Sequence, residues 1–257
     1  MKQRILEALR NLERESGVRV LLAVESGSRA WGFASPDSDY DVRFVYAHPR
    51  DWYLSVFEQR DVIEQMLPGD LDVSGWDLRK TLRLFAKCNL ALNEWLGSPV
   101  TYLAEPEFRA ELMALQPRYF NPIAGTYHYL RMARTAFEGN FQEGEIGIKK
   151  VFYVLRPLFA CRWIEHARKQ PPTEFGRLVA ADWISEEERR WVAALLERKA
   201  SAREAEPIRL DDARAEALRS EIARYAALAA TFEGPEKAPH HDLDLLLRRW
   251  VGETPGA

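Results

Sequence analysis

The character of the chain changes near residue 105, and this change restricts the folds that it can adopt. Before that point, short apolar or alternating runs typical of strands occupy residues 18–24 and 39–46. After it, most of the sequence has the spacing and composition of helices. We therefore predict an α+β protein. A small mixed β-sheet packed with helices would form a catalytic domain over residues 1–105, and residues 106–257 would form an α-helical domain that closes a nucleotide cleft.

The composition narrows the class of protein. Hydrophobic residues make up 47% and charged residues 29% of the chain, as in ordinary globular proteins. The net charge of −3 excludes a globally basic nucleic-acid-binding protein, although a local basic cleft is compatible with it. No apolar run approaches the roughly 20 residues that cross a bilayer, and the N-terminus has no signal-peptide core. With the thiols of Cys88 and Cys161 expected to be reduced, we predict a cytoplasmic protein with no membrane partner.

The most informative stretch joins a small turn, Gly27-Ser28, to two acids, Asp39 and Asp41, that follow a second turn at 35–38. On a strand, carboxylates at i and i+2 face the same side, with α-carbons roughly 6.6 Å apart. Such a pair offers the hard oxygen ligands that Mg²⁺ prefers, and phosphoryl transfer uses divalent ions in this way. The glycine lets backbone N–H groups approach a phosphate, and the serine hydroxyl adds a donor.

Two simpler interpretations compete with a catalytic metal site. An Asp-x-Asp pair at the start of a strand is common by chance and often only solvates an edge. The spacing of Asp37, Asp39 and Asp41 also imitates a calcium loop, but Val42 and His48 stand where such a loop needs glycine and glutamate. The joint order favours the catalytic interpretation, because an apolar strand, a Gly-Ser turn, a spacer and an alternating acidic strand occur in sequence.

This pattern resembles the signature of the DNA polymerase beta-like nucleotidyltransferase superfamily. The chain is more closely similar to a bacterial and phage family of predicted nucleotidyltransferases associated with RNA-repair pathways. The resemblance covers roughly residues 18–165, and the C-terminal third carries no signature of that family. The segments that match the family pattern are 25–32, 35–46, 76–80, 94–99 and 149–163.

The resemblance implies a metal-dependent enzyme with two Mg²⁺ (or Mn²⁺) ions. It would transfer a nucleoside monophosphate from a nucleoside triphosphate, such as ATP, to an acceptor hydroxyl. An RNA 3′ end is the leading acceptor, with RNA-repair proteins such as an RNA ligase as candidate partners. Two alternatives stay open: nucleotidylation of a protein or small molecule, and a non-catalytic nucleotide- or RNA-binding module. The sequence does not identify the nucleotide, a template or the oligomeric state.

The superfamily places a third carboxylate on a neighbouring strand, and Asp72 is the candidate here because it stands between Leu71 and Val73. Asp70 and Asp77 are rivals for this role. Asp77 has a structural alternative as the N-cap of the helix that begins after it. We therefore assign Asp39, Asp41 and Asp72 as the metal ligands, and the choice of the third acid stays open.

Positive charge has to meet the triphosphate. Gly27 and Ser28 are expected to hold the β- and γ-phosphates, and the resemblance implies a lysine of the helical domain as a further phosphate contact. Arg29 and Arg43 lie near the acidic pair, and Arg43 either contacts phosphate or neutralises the carboxylates. An ordinary solvated basic face is the alternative for the helical-domain set. That set occurs at helical spacing and comprises Lys149, Lys150, Tyr153 and Arg156.

Overall fold

The protein is described by a computed structural model. The described residues are 1–35, 38–201, 206–234, 236 and 238–251, without the side chains of residues 200 and 201. The turn predicted at 35–38 therefore falls partly outside the described residues. Asp37, which belongs to the calcium-loop alternative, lies outside them. The end of the chain at 252–257, which the sequence predicts to be frayed, lies wholly outside them.

The secondary structure is of the α+β class, as the sequence predicts. The strands are β1 (Arg19–Glu25), β2 (Tyr40–Ala47), β3 (Val62–Leu67), β4 (Leu71–Asp77), β5 (Thr101–Ala104), β6 (Glu145–Gly147) and β7 (Pro207–Arg209). The helices are α1 (Lys2–Ser16), α2 (Gly27–Trp31), α3 (Arg50–Tyr53), α4 (Leu78–Ala86), α5 (Leu90–Leu96), α6 (Pro106–Tyr119), α7 (Pro122–Asn140), α8 (Ile148–Ala167), α9 (Phe175–Val179), α10 (Glu186–Ser201), α11 (Asp212–Ala229) and α12 (His241–Trp250).

Backbone contacts divide the chain into two compact units, and each unit contains discontinuous segments. Unit 1 comprises Met1–Trp31, Asp37–Tyr119 and Lys237–Ala257. Unit 2 comprises Gly32–Pro36 and Phe120–Glu236. The units do not follow the linear division between residues 105 and 106, and the functional division into a catalytic and a closing domain stays a prediction.

Unit 1 is built on a mixed five-stranded sheet with the order β3-β4-β2-β1-β5. The central pair, β2 and β4, is parallel, and the other neighbours are antiparallel. On one face, Val42, Phe44 and Tyr46 of β2 pack against Ile5 and Leu9 of α1. The intervening residues of β2 therefore point to the opposite face, because side chains alternate along a strand.

The opposite face of this sheet is covered by helices from distant parts of the chain. Val45 of β2 shares a buried cluster with Leu82 of α4, Phe108 of α6 and Trp250 of α12. This burial explains why α6 and α12 belong to unit 1 although they follow the predicted boundary. Apolar side chains at helical spacing reveal that a helix is buried on one face, but they do not reveal which core buries it.

Unit 2 is helical, with α7 packed against α8 and a two-stranded sheet of β6 and β7 beside them. The short segment before residue 36 is part of this unit. Phe33 stacks on Phe152 with ring centroids 5.1 Å apart, and the buried ammonium of Lys199 donates to the carbonyl of Phe33 and, at 2.8 Å, to Ser35 Oγ. Among the described residues, no helix combines the length and apolarity needed to cross a membrane.

Candidate active site

The Gly-Ser turn and the acidic strand form one piece of structure. Gly27 follows β1 and has a φ of +59°, in the left-handed region that favours glycine. A Cβ atom at this position would lie 2.2 Å from Oδ2 of Asp41, so the carboxylate rests directly on the glycine backbone. The N–H of Ser26 donates to the Asp41 carbonyl at 2.8 Å. Only glycine satisfies both the backbone angle and the close approach.

A second carboxylate stands beside Asp41 on the neighbouring strand. In the parallel register of β2 and β4, Asp41 pairs with Asp72, and paired residues project to the same face of the sheet. The guanidinium of Arg43 donates to Asp41 Oδ1 at 3.2 Å and to Asp72 Oδ2 at 2.7 Å. Each carboxylate keeps 31% of its side chain exposed. The two acids are therefore near enough to share one cation, and solvent reaches both.

A buried glutamate holds the backbone of Asp41 in place. Glu25, the last residue of β1, is 1% exposed and accepts the N–H of Asp41 at 2.8 Å. Its other oxygen accepts the hydroxyl of Tyr102. Burial raises the pKa of Glu25, while the bonds from Tyr102 and from the Asp41 backbone oppose that rise. Glu25 was not among the predicted site residues, and its position two residues before Gly27, at the end of an apolar strand, was the available signal.

Asp39 and Arg29 lie at the entrance to β2. Asp39 is exposed and immediately precedes β2. The strand therefore begins at Tyr40, one residue later than the alternation predicts. The Arg29 side chain donates to the carbonyls of Ser38 (2.7 Å) and Asp39 (3.1 Å), and its guanidinium lies 3.8 Å from the ring centroid of Tyr40. Arg29 thus holds the backbone that carries Asp39. Ser28, in the first turn of α2, is buried.

Of the two rivals of Asp72, Asp77 has its carboxylate engaged by the fold, whereas Asp70 is an exposed turn residue. Asp77 accepts the N–H of Arg79 at 2.8 Å and the hydroxyl of Tyr53 at 2.6 Å, which confirms the predicted N-cap of α4. Burial raises the pKa of Asp77. Asp70 lies in the turn before β4 with a φ of +55°, and its carbonyl accepts the N–H of Tyr40 at 2.8 Å.

The basic set predicted in the helical part lies in unit 2, where it divides between surface and core. Lys149, Lys150 and Tyr153 occupy the first turns of α8, and the Lys150 ammonium lies 5.5 Å from the Tyr153 ring centroid. Arg156, which helical spacing placed with them, is 1% exposed and donates to the carbonyl of Thr173 at 3.3 Å. Arg156, which was predicted to lie on the same face as these residues or on an adjacent one, is part of the core of unit 2.

The oxygen donors at the N-terminal ends of β2 and β4 are chemically suited to a hard divalent cation. Asp41 and Asp72 supply carboxylate oxygens, and the guanidinium between them demonstrates that a positive charge fits there. Within the described residues, no three His, Cys, Asp or Glu side chains are grouped closely enough to hold a metal ion. Asp41 and Asp72 are accordingly a pair, with Asp39 two residues before Asp41 and Asp70 two residues before Asp72.

Comparisons with known proteins address the family. Residues 1–249 match the sequence model of a family described as "RNA repair pathway DNA polymerase beta family". The uncharacterized protein YcgL of Bacillus subtilis is 43% identical over 254 residues, covering 99% of this chain and 98% of that protein. A crystal structure of a nucleotidyltransferase-like protein from Exiguobacterium sibiricum aligns with 86% of this chain and 77% of its own, at 13% identity and a TM-score of 0.28. A likeness that weak supports no conclusion.

The family match extends over both units and includes the Gly-Ser turn, the acidic strand and the strand of Asp72. The predicted resemblance is thereby confirmed, and with it the enzyme class. This chain belongs to the RNA repair pathway DNA polymerase beta family and is a nucleotidyltransferase of the polymerase beta type.

Proposed function

We propose that this protein transfers a nucleoside monophosphate from a nucleoside triphosphate to an acceptor hydroxyl, and that the acceptor is an RNA 3′ end. One observation carries the proposal: Asp41 and Asp72 project side by side from parallel strands, and the carboxylate of Asp41 lies directly over the backbone of Gly27. Nucleotidyl transfer needs carboxylates of this kind beside a place where a phosphate can approach the backbone.

In this proposal Asp39, Asp41 and Asp72 hold two Mg²⁺ or Mn²⁺ ions. When bound, such ions lower the pKa of the attacking hydroxyl and neutralise charge on the triphosphate. Gly27 and Ser28 open α2, where the first backbone N–H groups have no partner in a preceding turn and can donate to phosphate oxygens. Glu25 fixes the backbone of Asp41 and so orients its carboxylate.

Arg43 has two roles in this site. Its guanidinium donates to both Asp41 and Asp72 and so offsets the repulsion between their negative charges. When cations take over that neutralising role, we expect Arg43 to donate to a phosphate oxygen instead. The contribution of Lys149, Lys150 and Tyr153 to triphosphate binding rests on the resemblance to the superfamily.

The acceptor is proposed from the family description, which names an RNA repair pathway. A net charge of −3 favours a short or single-stranded RNA end over a long duplex, because affinity for a duplex depends on many phosphate contacts. An RNA ligase would be a natural partner, because a nucleotide added at a 3′ end alters the substrate that a ligase joins.

The test is an incubation with Mg²⁺ and each nucleoside triphosphate labelled at the α-phosphate, with and without single-stranded RNA. Label that appears on RNA, at its 3′ end, supports the proposal. Label on the protein or on a small molecule would mean that the acceptor is not RNA but that protein or molecule. Binding of nucleotide without turnover in any of the reactions contradicts transferase activity and favours a binding module.

A further inference from the structure

Unit 2 has a groove on its surface. It lies between α7 and α8 and encloses about 480 Å³, within the range of roughly 300–1,000 Å³ typical of ligand pockets. Its polar lining comes from both helices. The side chains that matter for its chemistry are His128, Arg131, Thr135, Asn140, Lys150 and Tyr153.

The positions of these side chains follow from helix geometry. On α7, His128, Arg131 and Thr135 recur at intervals of three and four residues and share one face. On α8, Lys150 and Tyr153 are three residues apart and face the same groove. The fully buried positions of α7 and α8 are other residues, and Arg131 and Lys150 are exposed and lie outside the core of unit 2.

The chemistry of the groove matches a nucleotide chain. Arg131 and Lys150 are exposed, and neither pairs with a carboxylate in the part of unit 2 that the structure describes. Among the residues that the structure describes, no acidic side chain lines the groove. The Lys150 ammonium is beside the half-buried Tyr153 ring, and Thr135 and Asn140 add a hydroxyl and an amide. Proteins bind single-stranded nucleic acid with cations that contact the phosphates and with aromatic rings on which bases stack.

We propose that this groove binds the sugar–phosphate backbone of a single-stranded RNA, with Arg131 and Lys150 on phosphates and Tyr153 against a base. The proposal rests on the proposed function, since it assigns the RNA acceptor a binding surface. It gives Lys150 and Tyr153 to that RNA in place of the triphosphate contact that the resemblance to the superfamily implies for them. Two cations fit a short single strand, because a duplex of high affinity needs many more phosphate contacts.

The experiment is a fluorescence anisotropy titration of a short labelled single-stranded RNA in EDTA, without nucleotide, at several salt concentrations. The proteins are wild type, Arg131→Ala/Lys150→Ala and the control Arg190→Ala/Arg177→Ala. The control removes two exposed cations of unit 2 that do not line the groove. Both groove residues are exposed, so the double variant should fold, and its melting temperature verifies this.

We expect the groove variant to lose affinity roughly tenfold at low salt. The slope of log affinity against log salt should fall by about 1.4, since each phosphate contact to a single strand contributes about 0.7. The control should keep the wild-type slope. Unchanged affinity and slope in the groove variant would overturn the proposal. So would a variant that binds RNA normally but loses affinity for Mg²⁺-nucleotide, because the groove would then be a nucleotide site.

Failure of this proposal and failure of the proposed function give different results. If wild type binds RNA through the groove but transfers no nucleotide to it, the groove assignment stands and the reaction is wrong. If label reaches RNA and the groove variant behaves as wild type in both binding and transfer, the reaction stands and the RNA binds elsewhere.

Discussion

The two ends of the parallel pair β2 and β4 carry the same residue type in opposite environments. At one end, Asp72 pairs with Asp41 across the strands, and 31% of its side chain is exposed. At the other end, Asp77 pairs with Tyr46, is 1% exposed and uses its oxygens to cap α4 and to accept from Tyr53. An aspartate whose oxygens are used by the fold holds the structure together. One that keeps solvent access and an ionic partner is available for chemistry.

We call the end with Asp41 and Asp72 the open end, and the end with Tyr46 and Asp77 the closed end. The largest predicted effect is a loss of turnover when the open end is altered. Asp72→Asn keeps the shape of the side chain but removes a charge from the proposed metal site. We expect kcat to fall about 10³-fold, equivalent to several kcal/mol of lost stabilisation of the transition state. The melting temperature should change little. Steady-state transfer of labelled nucleotide gives the measurement, and a variant with near-normal kcat would remove Asp72 from the site.

The next effect is on stability at the closed end. Asp77→Ala removes the cap of α4 and leaves the Tyr53 hydroxyl without its acceptor, so we expect unfolding to cost about 2–3 kcal/mol less. Urea unfolding measures this loss, and Tyr53→Phe reports the hydroxyl contribution separately. Wild-type stability with abolished turnover in Asp77→Ala would reverse the comparison and make Asp77 the third catalytic carboxylate.

A smaller effect on activity should follow from the glycine under Asp41. Gly27→Ala and Gly17→Ala both place alanine at positive φ, +59° and +61°, and each should destabilise the fold by about 1 kcal/mol. Only at Gly27 does the new methyl group meet the Asp41 carboxylate, whereas at Gly17 it enters open space. We expect roughly tenfold lower kcat/KM for Gly27→Ala alone, equivalent to about 1.4 kcal/mol of lost transition-state stabilisation. Equal activity in the two variants would show that Asp41 does not need this contact.

The smallest effect concerns pH at the closed end. His48 follows β2 and stacks on Trp52 with ring centroids 4.0 Å apart, and burial lowers its pKa to about 4. A histidine with a lowered pKa stabilises the fold above its unfolded pKa of about 6.5 and loses that contribution as the pH falls to about 4. The free energy of unfolding should therefore fall modestly as the pH falls through that window, because a single, partly exposed imidazole takes up the proton.

Urea unfolding between pH 4 and pH 7 measures this dependence, with His48→Gln as the comparison. The variant lacks the titrating imidazole, so the difference between the two proteins should narrow as the pH falls. A wild-type profile parallel to that of His48→Gln would mean that His48 does not contribute.

Part of this contrast between the two ends could be predicted from the sequence. The alternation after Asp39 predicted β2, and Tyr40 and Val42 accordingly face away from Asp41 and pack beside α1. The N-cap at Asp77 was also predictable, because capping is local. The pairing of Asp41 with Asp72 was not predictable from spacing, since it depends on the register between strands that are separated in the chain.

Other features were missed for the same reason. The edge strands β3 and β5 are short and carry weak alternation, and their pairing partners define them more than their own residues do. Glu25 is an acid at the end of an apolar strand, and its role depends on Tyr102, which is remote in sequence. The packing of α12 on the sheet of unit 1 is likewise a long-range contact.

The most direct test of the open end is turnover by Asp41→Asn at saturating Mg²⁺ and nucleotide, beside the control Asp51→Asn. Both changes remove one negative charge from unit 1, and Asp51 is an exposed residue of α3. Our account predicts that Asp41→Asn melts like wild type and incorporates no label, while Asp51→Asn incorporates label at the wild-type rate. Wild-type incorporation by Asp41→Asn would contradict the assignment of the acidic pair as the catalytic site.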